Sequence, residues 1–375
     1  MTQPILTTRL VSLDVFRGIT IVLMVLVNSP GLPTTYAWLE HSVWDGCTLA
    51  DLVFPFFIVI VGISSTLALT YSKSNGATLY HLFKKTIKRS LFLFFLGLLI
   101  NAFPHPFDIE HLRILGVLQR IAICYFFSSL CFLTTSKWVQ TMIIIVLLIG
   151  YWLIVTGFSI QLPLGVSDNI VGRLDRLLLS PQHLYQPMFD PEGLLSTLPA
   201  IASALFGNLL GYTVMSSQTH QQQCRWMFVY GLLLLALGWG WSLIFPLNKA
   251  LWSSSYVLWT SGLAFMVYAL CFELIEIKHW VKWSKPFALF GQNALLIYVL
   301  HVIFLKIQGV IILQSEKGEQ LNLRRYITNT LFHDFTSWNA SLCYAICYTL
   351  FWLIFLVFLG KLKMEWQQFQ DIKKS

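Results

Sequence analysis

Long apolar runs, each closed by a short polar or proline-bearing stretch, follow one another almost from end to end of this chain. Ten of them lie near residues 13–31, 49–71, 87–103, 114–135, 138–158, 194–216, 226–246, 252–273, 286–313 and 338–360. A bilayer's hydrocarbon core is about 30 Å thick, so a helix that crosses it needs roughly 20 apolar residues. The pattern therefore predicts an all-α, polytopic integral membrane protein of about ten transmembrane helices. No polar stretch is long enough for a separate soluble domain, and residues 1–375 are expected to form a single transmembrane domain. Residues 321–335 are expected as an interfacial helix, and 159–193 as a long outer loop. Pro163, Pro181, Pro187 and Pro191 predict irregular backbone in that loop. A loop of this length is functional or disordered, and the close carboxylates Asp190 and Glu192 favour function.

Composition agrees with the pattern, at 56% hydrophobic and only 11% charged residues. A net charge of +8 could suit nucleic acid. Lys and Arg instead gather in the loops on the side that holds both chain ends, which the positive-inside rule makes cytoplasmic. No nucleic acid is expected, and the loop carrying His41 faces outward. The first apolar run has no cleavage pattern and reads as a retained span. Seven cysteines, odd in number, without metal spacing and mostly inside apolar runs, are expected to pack. No metal is expected.

Polar groups set into membrane-length apolar helices are costly, so each is a functional candidate. Asp14, Arg17, Ile21, Met24 or Val25, and Asn28 form one stripe of the first helix, about 21 Å long. An Asp14–Arg17 pair that merely anchors the helix carries equal weight. On the fourth helix Arg113, Gly116, Arg120 and Cys124 share a face. An arginine that deep needs either a buried pair, with Asp51 or Asp14, or an anionic ligand. The turn FPLNKALWSSSYVLW holds Asn248, Lys249, Trp252, Ser255 and Tyr256, which read as an interfacial belt or as an aromatic face for a sugar. Gln292, Asn293 and His301 on the ninth helix fit helix–helix hydrogen bonding.

His41 is the best single catalytic candidate. It sits among Glu40, Trp44 and Asp45 at a helix mouth, and an imidazole can act as base or nucleophile near neutrality. Asp51, Asp190 and Glu192, on the same side, could orient it or bind a cationic acceptor. No phosphate-binding loop, G-x-S-x-G elbow or H-E-x-x-H helix is present. The residues alone describe a polar, partly cationic cavity with a histidine at its outer mouth. Such a cavity suits an enzyme and a transporter alike.

The segments SLDVFRGITIVLMVLVN, HSVWDGCTLADLVFPFFIVIVGIS, LRILGVLQR, DPEGLLST, PLNKALWSSSYVLWTSG and FGQNALLIYVLH run in this order from about residue 9 to 301. Together they resemble the heparan-α-glucosaminide N-acetyltransferase family and its NagX-like bacterial members. The resemblance implies transfer of an acetyl group from cytoplasmic acetyl-CoA to the amine of a glucosamine-type sugar at the outer side. His41 matches the family's active-site histidine and Asn28 the asparagine before it, and Asp51 joins them as catalytic. Asp190 and Glu192 match the acidic pair of DPEG and, with Trp252 and Asp45, are expected on the acceptor side. Asp14, Arg17, Arg113, Arg120, Asn248, Lys249, Ser255, Asn293 and His301 are expected to meet acetyl-CoA. Expected partners are that donor, the amino sugar, the lipid bilayer and a second copy of the chain. The animal lysosomal enzyme has an extra N-terminal lumenal portion that this chain lacks, so the bacterial inner membrane is the expected location. Direct transfer with His41 as base is preferred to an acetyl-histidine intermediate, because one cavity can serve both substrates. Asn28 is expected to donate to the oxyanion. A transporter of amino sugars or cell-wall fragments, and an O-acyltransferase for a surface polysaccharide, are the competing readings.

Overall fold

A computed structural model describes residues 9–374 other than 106, 160–164, 167, 168, 316 and 317, with side chains as far as residue 361. Pro163 therefore lies outside the described residues. The helices are α1 (Val11–Asn28), α2 (Leu49–Ser74), α3 (Leu79–Ala102), α4 (Val117–Thr134), α5 (Lys137–Phe158), α6 (Ile170–Leu179), α7 (Thr197–Val214), α8 (His220–Ser242) and α9 (Ser254–Phe272). There follow α10 (Lys285–Gln292), α11 (Ala294–Val310), the hairpin β1 (Ile312–Gln314) and β2 (Gln320–Asn322), α12 (Leu323–Leu331) and α13 (Ser337–Lys374).

All ten expected runs are helical, but they are not all alike. Among the described residues α1, α2, α4, α5, α7, α8, α9 with its extension to Ile277, and α13 to Lys361 are long and apolar enough to cross a membrane. The expected ninth span is broken: α10 and α11 meet at 79° and count as a span only together. At the break the Asn293 side chain donates to Leu289 O. The expected third span, α3, falls outside this set, because Lys84, Lys85, Lys88 and Arg89 crowd its first half. The segment 159–193 combines a proline-free helix, α6, with turns that hold Pro181, Pro187 and Pro191 as expected. Asn169 caps α6 by accepting from Gly172 N at 2.8 Å, and a single 3-10 turn spans Pro181–His183. The expected interfacial helix is α12, entered through the hairpin.

Where the sequence suggests one domain, the described helices gather into two compact units. One contains His41–Lys278, the other Val11–Glu40 together with the chain from His279. The opening pair of apolar runs is thus divided, with α1 in the second unit and α2 in the first.

In the first unit α7 is the central helix, packed against α2, α4, α5 and α9. A Cβ on Gly62 would lie 2.0 Å from Ala204 O, and one on Gly207 would lie 2.2 Å from Val59 O, so the α2 and α7 backbones touch. Polar groups join the helices around this contact. Thr66 donates to Asn208 Oδ1 at 3.1 Å, while Asn208 Nδ2 donates to Ser128 O and Gln140 Oε1. Small residues and interhelical amides of this kind bind helices where lipid supplies no hydrophobic drive. In the second unit α1 packs against α10, α11 and α13. Tyr344 donates to Gln308 and Tyr348 to His301 O, linking α13 to α11.

Replacing Gly207 with leucine should separate α2 from α7. Overpacking of this sort costs about 1–3 kcal/mol, so the thermal midpoint in detergent should fall by several degrees. An unchanged midpoint would show that the two backbones do not meet there.

Candidate active site

The site is built on Asp51, in the first turn of α2 and fully buried. Four residues on stands Pro55, which has no N–H to give the Asp51 carbonyl. The Tyr256 hydroxyl donates to that carbonyl instead, at 2.6 Å. The side chain is held as firmly. Its Oδ2 accepts from Ser42 N and Oγ and from Thr48 N and Oγ1, at 2.9–3.1 Å. Its Oδ1 faces His41 Nδ1 at 2.8 Å and Lys249 Nζ at 3.4 Å.

A carboxylate only accepts hydrogen bonds, so His41 Nδ1 is the donor in this contact. Lys249 Nζ lies 3.0 Å from Nδ1 and 3.4 Å from Nε2, alongside the ring. The His41 side chain is 51% exposed over a wholly buried partner. The result is an imidazole fixed between a buried carboxylate and a lysine, with half of its side chain exposed.

Lys249 is held by a tight turn. Asn248 Oδ1 accepts from Leu251 N at 2.8 Å, and Asn248 N donates to Ser253 Oγ at 3.0 Å. Asn248 Nδ2 also donates to Asp45, tying this turn to the His41 loop. Trp252 takes φ 53°, a conformation rare for a bulky residue. Its wholly buried ring is the reason it can be kept there. Trp252 Nε1 donates to Ser203, Phe54 and Tyr256 meet the ring edge-on, and the Arg120 guanidinium lies over it. Trp252 was expected to offer a sugar an open face; in this packing neither face is open. Ser255 is likewise buried, donating to Phe245 O and Pro246 O inside the turn.

The DPEG loop lies beside this cluster. Tyr151, Val155, Val171, Phe245 and Leu251 form a shared apolar floor, against which Trp44 and Leu195 pack. Phe189 meets Trp44 edge-on. Arg113 makes a bidentate pair with Asp190, through Nε at 2.9 Å and Nη2 at 2.6 Å, and also pairs with Glu192. Asp190 additionally accepts from Tyr185 N and Glu192 N. It is buried with both oxygens engaged, so it shapes the loop and has nothing free for an acceptor. Glu192 keeps Oε1 without a hydrogen-bond partner among the described residues. Arg120 pairs with neither Asp51 nor Asp14: its Nη2 donates to Gly193 O and Ser196 Oγ.

Electrostatics follow from this packing. Burial works against the charge of Arg113, but Glu192 and Asp190 outweigh it and raise the guanidinium above its ordinary range. Burial lowers Lys249 below the usual lysine range, against the pull of Asp51 and Glu192. Cys47 borders the cluster, yet burial and then Asp51 push its thiol up to about 12, so it is no nucleophile near neutrality. Asp175 on α6 is a residue that sequence reasoning passed over. Its Oδ1 accepts from Leu194 N at 2.8 Å, while Oδ2 is buried with no partner. Burial, with Asp190 adding to it, pushes Asp175 up to about 6.

The remaining expected site residues belong to the second unit. Asp14 and Arg17 pair at 3.2 Å, and Arg17 also donates to Gly291 O. Asn293 marks the break before α11, and His301 is buried beside Tyr348. Asn28 ends α1 with an exposed side chain. The expected donor set is therefore divided: Arg113, Arg120, Asn248, Lys249 and Ser255 stand in the first unit, and Asp14, Arg17, Asn293 and His301 in the second. The structural role of Thr48 had a legible signal, since Thr-x-x-Asp is a capping pattern. Asp175 had none beyond being an acid in a loop.

Helices long and apolar enough to cross a membrane, with a half-exposed histidine held by a buried carboxylate and a lysine, define a polytopic membrane protein with a histidine–carboxylate–lysine cluster. The family model described as "Heparan-alpha-glucosaminide N-acetyltransferase, catalytic" matches residues 9–247. The chain belongs to that family. Heparan-alpha-glucosaminide N-acetyltransferase of Homo sapiens is 32% identical over 80% of this chain and 53% of its own length. The Mus musculus protein of the same name is 32% identical over 78% of this chain and 53% of its own. The chain spans about half the length of these curated relatives. His41, Asp51, Arg113, Arg120, Asp190 and Glu192 lie within the family match, while Lys249 lies just beyond it.

Asp175 generates a pH test. Its folded pKa of about 6 exceeds the ordinary 3.8, so between these values the unfolded chain gives up its proton first and stability falls as pH rises. The loss should reach about 3 kcal/mol by neutrality, at about 1.4 kcal/mol per pH unit. Asp175→Asn should remove that slope from thermal midpoints measured between pH 4 and 7. Parallel slopes in both proteins would refute it.

Proposed function

We propose that the protein is a transmembrane N-acetyltransferase that moves the acetyl group of acetyl-CoA to the amine of a glucosamine-type sugar. The observation that carries this reading is the half-exposed imidazole of His41, fixed through Nδ1 to buried Asp51, in a member of this family. Nε2 takes a proton from the sugar amine as the amine attacks the thioester carbonyl. The tetrahedral intermediate then expels the CoA thiolate, which recovers that proton from His41. Asp51 keeps the ring in its working tautomer, and Lys249 balances the buried carboxylate. Glu192 Oε1 is the carboxylate oxygen available to an acceptor's amine or hydroxyl. Asn28 is assigned to the oxyanion on its place at the outer end of the polar stripe of α1.

Sidedness belongs to the same proposal. Counted over ten spans, with α3 as one of them, the excess of Lys and Arg in loops on the side of both termini supports a cytoplasmic placement for them and an outward His41 loop. Acetyl-CoA would then approach from the cytoplasm and the sugar from outside. A bacterial inner membrane fits this arrangement.

Purified protein given acetyl-CoA should release free thiol when glucosamine is added. N-acetylglucosamine, whose amine is blocked, should not replace it. His41→Ala should lower turnover by about 10²–10⁴-fold, the usual worth of a general base. Asn28→Ala should lower kcat by about 10²–10³-fold if it serves the oxyanion. Absence of thiol release with any amino sugar, alongside uptake of labelled sugar, would make the protein a transporter. Equal release with N-acetylglucosamine would make a hydroxyl the acceptor.

A further inference from the structure

The lysine beside His41 is itself a primary amine. Its Nζ lies 3.0 and 3.4 Å from the two ring nitrogens, where the amine of an acceptor must come to give up its proton. It is reachable, with 19% of its side chain exposed, and it sits in a tight turn that cannot easily withdraw it. We infer that Lys249 is a site of self-acetylation, an internal amine that accepts the acetyl group of an acyl thioester when no sugar occupies the site. This rests on the acyltransferase reading above.

The chemistry balances with the reactants already named. The Nζ lone pair forms the new N–C bond and the C–S bond breaks. The amine proton passes by way of His41 to the departing thiolate. Burial favours the step, because it depresses the lysine and enlarges the fraction present as free amine. Asp51 and Glu192 pull the other way and slow it. The product is an amide, a far poorer acyl donor than a thioester, so the acetyl group stays on the lysine. Loss of the cation leaves Asp51 buried without its lysine counter-charge. Self-acetylation should therefore inactivate the protein, and a bound acceptor should protect it.

The test incubates the full-length protein with trideuteroacetyl-CoA, with and without glucosamine, and follows labelled peptides by mass spectrometry and remaining thiol-release activity. Exposed Lys84 and Lys85 on α3 report background chemical acetylation. Without glucosamine, Lys249 should be labelled at least ten times faster than either, in step with lost activity and faster as pH rises. Saturating glucosamine should slow this tenfold or more. His41→Ala should abolish the excess labelling while leaving Lys84 and Lys85 unchanged. Turnover of glucosamine with Lys249 labelled no faster than Lys84 and Lys85 would overturn the inference and leave the acyltransferase standing. Absence of both thiol release and excess labelling would overturn both.

Discussion

A carboxylate with no access to water is the constraint on which the rest of the site depends. Removing such a charge from water costs several kcal/mol unless hydrogen bonds and a counter-charge replace the lost solvent. Asp51 obtains four hydrogen bonds on one oxygen, and a histidine and a lysine on the other. Each of those donors is placed as a consequence. Ser42 and Thr48 fold the connection around the carboxylate, His41 is held by Nδ1 with half of its side chain exposed, and Lys249 is drawn in from the α8–α9 turn. Pro55 and Tyr256 complete the anchoring from the backbone side. The setting of His41 and the satisfaction of a buried charge are here one arrangement.

The DPEG loop solves a similar problem with opposite emphasis. Arg113 carries the charge that must be matched, and Asp190 and Glu192 match it. Asp190 is consumed in doing so, whereas Glu192 retains one oxygen. Two acids that look equivalent in the sequence thus divide into one that builds and one that can bind. Asp175 on α6 adds a carboxyl whose ionisation is resisted first by burial and then by Asp190, while its Oδ1 holds Leu194 N of the same loop.

Much of the fold was legible because its signals are local and strong. An apolar run of membrane length can be satisfied only by a helix, so the ten runs are all found as helices. His41 and Asp51 could be singled out because polar groups at the mouths of such helices are expensive. The misreadings come from signals that are not local. Trp252 looked like an open sugar platform, but whether an aromatic face is open depends on what packs over it, here Arg120. In residues 159–193 irregular backbone is found where Pro181, Pro187 and Pro191 stand, while the proline-free, amphipathic stretch capped by Asn169 forms α6.

The sequence by itself determined the class: a helical membrane protein, its family, and a short set of polar residues that must have partners. It could not decide who those partners are. Asp51 and Lys249 are almost two hundred residues apart in the chain, and only the packing of α2 against α9 brings them within 3.4 Å. Helical periodicity places Asp14, Arg17 and Asn28 on one stripe, yet it says nothing of the division that puts α1 and α2 in different units. Spacing along a helix is a property of the backbone and can be counted. The pairing of buried charges depends on which surfaces exclude water together, and that exists only once the helices have packed.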